Sequence, residues 1–248
     1  MNRRHLMLGA TLPLLPFGRA AAQDNRPDSM HEFTSGGRRV RAEWFPAAAG
    51  ALSPAASASP ALLLLHGADG LAYGGDRYRL AAGIVAGSGY HVGLVHYLDR
   101  TGDRRVDYGT LRDNYPLWAE AVRAGVGWLA TQPGVAQERL GLVGISLGGA
   151  LALSTAAADP RIKAVVEYSG PVPDDLPGSS SKLPPSLVLH GEADRIVPAS
   201  HARRLETLLQ ASGTPHEVRI YPGEGHVLSA MAQLDAASRV ASFLARHL

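Results

Sequence analysis

Residues 144–148 read Gly-Ile-Ser-Leu-Gly, a serine held between two glycines in the pattern G-x-S-x-G. An alcohol is a poor nucleophile unless the chain exposes it on a tight turn and supplies a base. The flanking residues fit that demand. Residues 140–143, Leu-Gly-Leu-Val, suit a short buried strand, and residues 149–158 are Ala/Leu-rich and suit a helix. Strand, sharp turn and helix in that order would put Ser146 at the tip. The amides opening the helix, Leu147 first, would then face the point where an oxyanion forms.

A nucleophilic serine needs a base, and the base needs an acid to orient it. Residues 186–190 form an apolar run that breaks at His190-Gly191 into a polar loop bearing Asp194. Residues 216–221 read as the next strand, and His226 lies just beyond it in Pro-Gly-Glu-Gly-His. The order Ser146, Asp194, His226, each member after a different strand, is the order such sites use in alternating strand–helix chains. The other histidines downstream are placed differently. His201 falls inside a helix, His216 opens a strand, and His247 is at the tail. Among acids, Glu192 is near the same strand end, and Asp174 and Asp175 follow the strand at 162–168; Asp175 is the main rival of Asp194.

The fourth requirement is an oxyanion hole. Residues 61–65 are continuously apolar and end in His66-Gly67-Ala68-Asp69-Gly70, which makes the N–H groups of Ala68 and Leu147 the two candidate donors. His66 is expected to shape this turn through backbone hydrogen bonds. Gly74-Gly75 carries no G-x-G-x-x-G or G-K-[ST] context and reads as a loop, not a phosphate cradle.

These residues need a scaffold in which successive strands end on one edge. Strands are expected at 38–45, 62–65, 92–97, 140–143, 162–168, 186–190 and 216–221. Helices are expected near 78–86, 115–131, 149–158, after Pro198, and at 230–244. On the helix at 115–131, Trp118, Val122, Val126 and Leu129 form a core stripe. This alternation predicts a mostly parallel central sheet with helices on both faces. The Ala/Ser/Pro-rich residues 46–60 read as a surface hairpin loop.

With these landmarks in place, the chain resembles an α/β-hydrolase of the dienelactone hydrolase family over residues 38–248. The resemblance rests on L-L-L-L-H-G-A-D-G, G-I-S-L-G-G, H-G-E-A-D-R-I-V-P and Y-P-G-E-G-H, in family order. It implies the α/β-hydrolase fold and a triad of Ser146, Asp194 and His226. Founding members of the family use a cysteine nucleophile; this chain has no cysteine and presents Ser146, as the esterase-like serine members do. Family members that handle anionic lactones place an arginine near residue 100. Arg100 is therefore the candidate substrate-binding residue in the loop at 99–108. Residues 169–184 would form a second rim.

Length and composition agree with a single domain of ordinary hydrophobicity: 248 residues, 46% hydrophobic. Residues 1–22 have the form of a cleaved signal peptide. A basic start with Arg3-Arg4 resembles a twin-arginine signal; residues 6–17 are apolar, and Ala20-Ala21-Ala22 offers a cleavage site before Gln23. Residues 23–37 are expected to be a flexible leader ahead of the domain. Removing residues 1–22 takes away three arginines and no acids, so the formal charge moves from +2 to −1. That argues against a nucleic-acid partner. No stretch is long and apolar enough for a membrane span, and no His/Cys/Asp/Glu spacing suggests a metal or other cofactor. The expectation is an exported, periplasmic or secreted, serine hydrolase acting on a small ester or lactone through an acyl-enzyme. The alternatives are a small exopeptidase or acyltransferase on the same triad, or a non-catalytic binding module.

Overall fold

The computed structural model describes residues 26–48, 58–174, 176 and 183–248. Its frame is an eight-stranded sheet in the order β1-β2-β4-β3-β5-β6-β7-β8. The strands are β1 (Ser29–Ser35), β2 (Arg38–Phe45), β3 (Ser59–Leu65), β4 (His91–Val95), β5 (Val135–Ile145), β6 (Ile162–Tyr168), β7 (Ser186–Gly191) and β8 (His216–Tyr221). Strands β3 to β8 run parallel, while β1 and β2 are antiparallel to their neighbours.

Among the described residues five α-helices cover the sheet: α1 (Gly75–Gly87), α2 (Leu111–Ala130), α3 (Leu147–Ala158), α4 (Ser200–Ala211) and α5 (Ala230–His247). Their buried residues divide into two cores. One joins α2, α3 and α4 to one face of the sheet, and the other joins α1 and α5 to the opposite face. Strands covered on both sides have no solvent-facing row, which is why β3 and β7 are nearly all apolar. The stripe expected on α2 is core: Trp118, Val122, Val126 and Leu129 are all buried.

Three expectations are corrected. The leader expected at 23–37 is not a leader along its whole length, because residues 29–35 form edge strand β1. Gly36 and Gly37, at φ 49° and 75°, make the tight turn into β2, since two consecutive left-handed residues match the twist of a hairpin. Phe33 secures the strand by stacking on Trp128 of α2, with ring centroids 5.9 Å apart. Nor are the strands on either side of residues 46–60 paired as a hairpin, since β4 lies between β2 and β3. The chain leaves β2 and re-enters the sheet as β3 on the far side of β4, although residues 49–57 of this crossing lie outside those described. Finally, β4 ends at Val95, two residues early. Residues 97–100 tighten into a 3₁₀ turn that points the Tyr97 hydroxyl at the His66 carbonyl, 2.7 Å away.

Every parallel strand delivers its following loop to one edge of the sheet. On that edge lie the residues after β3, β5, β7 and β8, which include Ala68, Ser146, Asp194 and His226. Among the described residues no helix is long and apolar enough to cross a membrane. Residues 1–25, which include the expected signal peptide, lie outside the described residues.

Candidate active site

Ser146 stands between β5 and α3 at φ 55° and ψ −120°, a conformation rarely adopted by a residue with a side chain. The turn is held by a hydrogen bond from the Ser146 amide to the Tyr168 carbonyl (2.8 Å), while the Ser146 carbonyl accepts the Gly149 amide (2.8 Å). The flanking glycines are required by contact. A Cβ on Gly144 would run into the Gly148 carbonyl, and one on Gly148 into the Leu65 carbonyl at the end of β3. Backbone atoms cannot move aside as a flexible side chain can.

The loop after β8 brings His226 to this turn. Its Nε2 is 3.2 Å from Ser146 Oγ, and its Nδ1 is 2.7 Å from Asp194 Oδ2. The two loops that carry acid and base are stitched together, the Ala193 amide donating to the Glu224 carbonyl at 2.8 Å. The Glu224 carboxylate in turn accepts from Ser229, the residue that caps α5. Asp194 is buried, yet its other oxygen accepts the amides of Ile196 (2.8 Å) and Val197 (2.9 Å). Burial alone would raise its pKa. The hydrogen bonds from His190, His226 and these amides outweigh that and hold the carboxyl well below the usual carboxylate range. The arrangement can take a proton from Ser146, hold it on His226, and balance the resulting cation with the Asp194 carboxylate.

Ala68 follows β3, and the loop lies against the serine: a Cβ on Gly67 would sit 3.5 Å from Ser146 Cβ. Leu147 provides the first amide of α3, one of those a helix cannot bond internally. His66 plays the expected shaping part, with Nδ1 2.8 Å from the Gly67 carbonyl and its ring stacked on Tyr97 at 4.1 Å. Burial pushes its pKa down to about 4, so it is a neutral ring at physiological pH.

The rival residues are occupied elsewhere. Glu192 is exposed and pairs with Arg203 at 3.4 Å. His201 Nδ1 accepts the Val172 amide, His216 Nδ1 lies 2.7 Å from the Thr214 carbonyl, and His247 packs on Phe243. Asp174 is exposed, and Asp175 lies outside the described residues, as do 177–182 of the expected second rim.

Arg100 is not brought to the serine. Its guanidinium bonds Glu120 of α2 at 3.1 Å and lies so close beneath Gly36 of the β1–β2 turn that a Cβ there would strike it. Glu120 thus takes the Arg100 Nη2 hydrogen bond that a substrate carboxylate would compete for. Its neighbour Arg105 lines a cavity of about 550 Å³ together with Ala68, Asp69 and Tyr108. That loop is anchored to the oxyanion strand end by the Val106 amide on the Ala68 carbonyl, 2.8 Å. Among the described residues no group of side chains is suited to hold a metal ion.

Sequence reasoning missed Glu167 and His190. Both are buried polar residues, and His190 Nε2 reaches Asp194 at 3.4 Å. The signal was there to read: a carboxylate in the otherwise apolar run of residues 164–168, and a histidine closing the run at 186–190.

The model of the dienelactone hydrolase family matches residues 47–245. A Mycobacterium tuberculosis protein provisionally named a phosphoribosyl transferase is 30% identical over 169 residues, which is 66% of this chain and 36% of that protein. A Yersinia pestis protein provisionally named a carboxymethylenebutenolidase is 29% identical over 110 residues, 41% of each chain. The chain thus spans well under half the length of these relatives. A crystal structure from Klebsiella pneumoniae, provisionally titled a dienelactone hydrolase, superposes with a TM-score of 0.70. It is 20% identical and covers 88% of this chain and 99% of its own, a likeness of fold.

Proposed function

The chain belongs to the dienelactone hydrolase family, and from that premise we propose that it is a serine hydrolase cleaving small carboxylic esters or lactones through an acyl-enzyme. The observation that carries this reading is His226, bonded through one ring nitrogen to Ser146 Oγ and through the other to Asp194. Attack by Oγ on the carbonyl carbon passes the serine proton to Nε2. The oxyanion forms against the amides of Ala68 and Leu147, a stabilisation on the order of 3 kcal/mol per donor in comparable sites. As the tetrahedral intermediate collapses, Nε2 returns the proton to the leaving alkoxide. A water molecule, deprotonated by the same nitrogen, then releases the acid and restores Ser146. Asp194 keeps the proton-bearing Nδ1 pointed inward and offsets the imidazolium charge.

The test is turnover of p-nitrophenyl acetate together with labelling by a fluorophosphonate. Wild-type protein should hydrolyse the ester and be labelled once. Ser146→Ala should lose both activities while unfolding at the same temperature as the wild type. Labelling that persists in Ser146→Ala would move the nucleophile elsewhere. Cleavage of an aminoacyl p-nitroanilide in preference to the ester would replace the esterase reading with the peptidase one.

We also propose that residues 1–22 direct export by the twin-arginine route. The support is the sequence itself, a basic pair ahead of a short apolar run and an Ala-Ala-Ala site. N-terminal sequencing of protein from a periplasmic fraction should begin at or near Gln23, and lysines at positions 3 and 4 should strand the precursor inside the cell. Full-length protein confined to the cytoplasm would refute the proposal.

A further inference from the structure

Two buried ionisable side chains have no part in the reaction just described. Glu167 of β6 is opposite Val188 of β7, and His190 lies two residues beyond Val188. Both therefore project from the same face of the sheet, the one covered by α3. Each reaches one end of the Ser146–His226–Asp194 series. Glu167 Oε1 accepts the Gly170 amide in a turn where Ser169 is held at φ 51°. A Cβ on Gly170 would come within 2.7 Å of the Ser146 carbonyl, so this turn packs directly beneath the nucleophile. At the other end, His190 Nε2 lies 2.8 Å from the Val197 carbonyl and 3.4 Å from Asp194 Oδ2, the oxygen that also holds His226.

One polar atom on each residue is left over. Glu167 Oε2 and His190 Nδ1 are both buried without a hydrogen-bond partner. A buried polar atom without a partner destabilises the fold, because it has given up its hydrogen bonds to water. Here the two are chemically complementary and belong to groups whose charges act on each other. The two atoms do not bond each other directly; a single water molecule between them satisfies both and can pass a proton from one to the other.

We propose that Glu167 and His190 share one proton between Oε2 and Nδ1 and act as a positioning pair behind Asp194. The pair is neutral whichever atom carries the proton. His190 can then hold its Nε2–H on the Val197 carbonyl and toward Asp194 Oδ2 without a net positive charge that would compete with His226 for that carboxylate. The other titratable groups acting on the pair are Asp194 and, from α4, His201. Burial pushes Glu167 up to about 7. Burial alone would lower His190, but the hydrogen bond to Asp194 and the charge of Glu167 raise it instead. Both shifts are upward, so each group favours holding a proton, and the two are coupled through their charges.

This inference rests on the serine-hydrolase reading, and a double-mutant cycle separates the two. Glu167→Gln keeps the shape and the Gly170 contact but cannot carry the shared proton. His190→Gln keeps an amide donor near Nε2 and removes Nδ1. Each single change should lower kcat for p-nitrophenyl acetate on the order of ten-fold with KM within about two-fold, and the double variant should be no slower than the worse single one. Losses that multiply, or an unchanged kcat in Glu167→Gln, would overturn the pairing while leaving the hydrolase intact. A wild type that neither turns over nor reacts with fluorophosphonate would remove the reading beneath it. A second measurement needs no variant. In histidine-labelled wild type, the nitrogen resonance of His190 Nδ1 near neutral pH should lie between the bare and protonated positions. A resonance at the bare position throughout pH 5 to 8 excludes a shared proton.

Discussion

At the scale of the residue, position in the sequence and availability in the fold are separate matters. Arg100 stands where a substrate carboxylate could be met, but its guanidinium is taken by Glu120 and packed under Gly36. Arg100→Ala should therefore act on stability, unfastening the 3₁₀ turn from α2 and lowering Tm by a few degrees, a loss of about 1 kcal/mol. Its effect on kcat/KM should be equal for a neutral acetate ester and for a carboxylate-bearing ester. A selective loss on the anionic ester, measured side by side with the neutral one, would return Arg100 to the site. Arg105 is the arginine of this loop that lines the cavity beside Ala68, and it is the better choice for a charge-reversal scan.

Elements decide how well the residues are aimed. The join of β5, the turn at Ser146 and α3 leaves no space at Gly148, where an added methyl meets the backbone of Leu65 and His66. Gly148→Ala should push α3 away from β3 and misplace the Leu147 amide together with the serine. Expected is a loss of more than about 2 kcal/mol in stability, with esterase turnover falling at least a hundred-fold. Chemical denaturation and p-nitrophenyl acetate kinetics on the same preparation check both halves. A variant that folds as well as wild type and keeps its rate would show that the turn tolerates a wider radius. The edge strand β1 has no such connection to the chemistry. It adds to the core through Phe33 and Trp128, at the opposite margin of the sheet from β7 and β8.

For the molecule as a whole, two buried carboxylates set opposite pH limits. Glu43 is buried, which would raise its pKa, but hydrogen bonds from His96 and Arg79 bring it below the ordinary value. Its contribution is present above the unfolded pKa and fades as the solution is acidified through the folded one. Glu167 is the reverse, raised by burial to about 7 from 4.5. Its contribution is complete below about 4.5 and is lost as pH climbs toward 7. Glu167→Gln is uncharged at every pH and has no proton to lose. It should lie within about 1 kcal/mol of the wild type at pH 5 and exceed it by up to about 3 kcal/mol at pH 8, measured as Tm or by denaturant titration. A constant difference between the two proteins across that range would mean that Glu167 is ionised in the fold throughout.

What the sequence determined by itself is what depends on local pattern. The strands at 162–168 and 216–221, the turn at Ser146, and the strand-end loops bearing Asp194 and His226 all follow from apolar runs broken by glycine and polar residues. Those signals also place all three residues on one edge, because parallel strands must end on the same side. The tertiary structure decided whatever depends on which distant side chain arrives first. Strand β1 was obscured because its alternation is short and its inner residues are only half buried even with Trp128 of α2 stacked on Phe33. Arg100 reads in the sequence as a ligand for a substrate carboxylate, and only packing brought Glu120 within 3.1 Å of it. Glu167 and His190 are 23 residues apart and come together because β6 and β7 are neighbours in the sheet, a pairing register that no local spacing encodes.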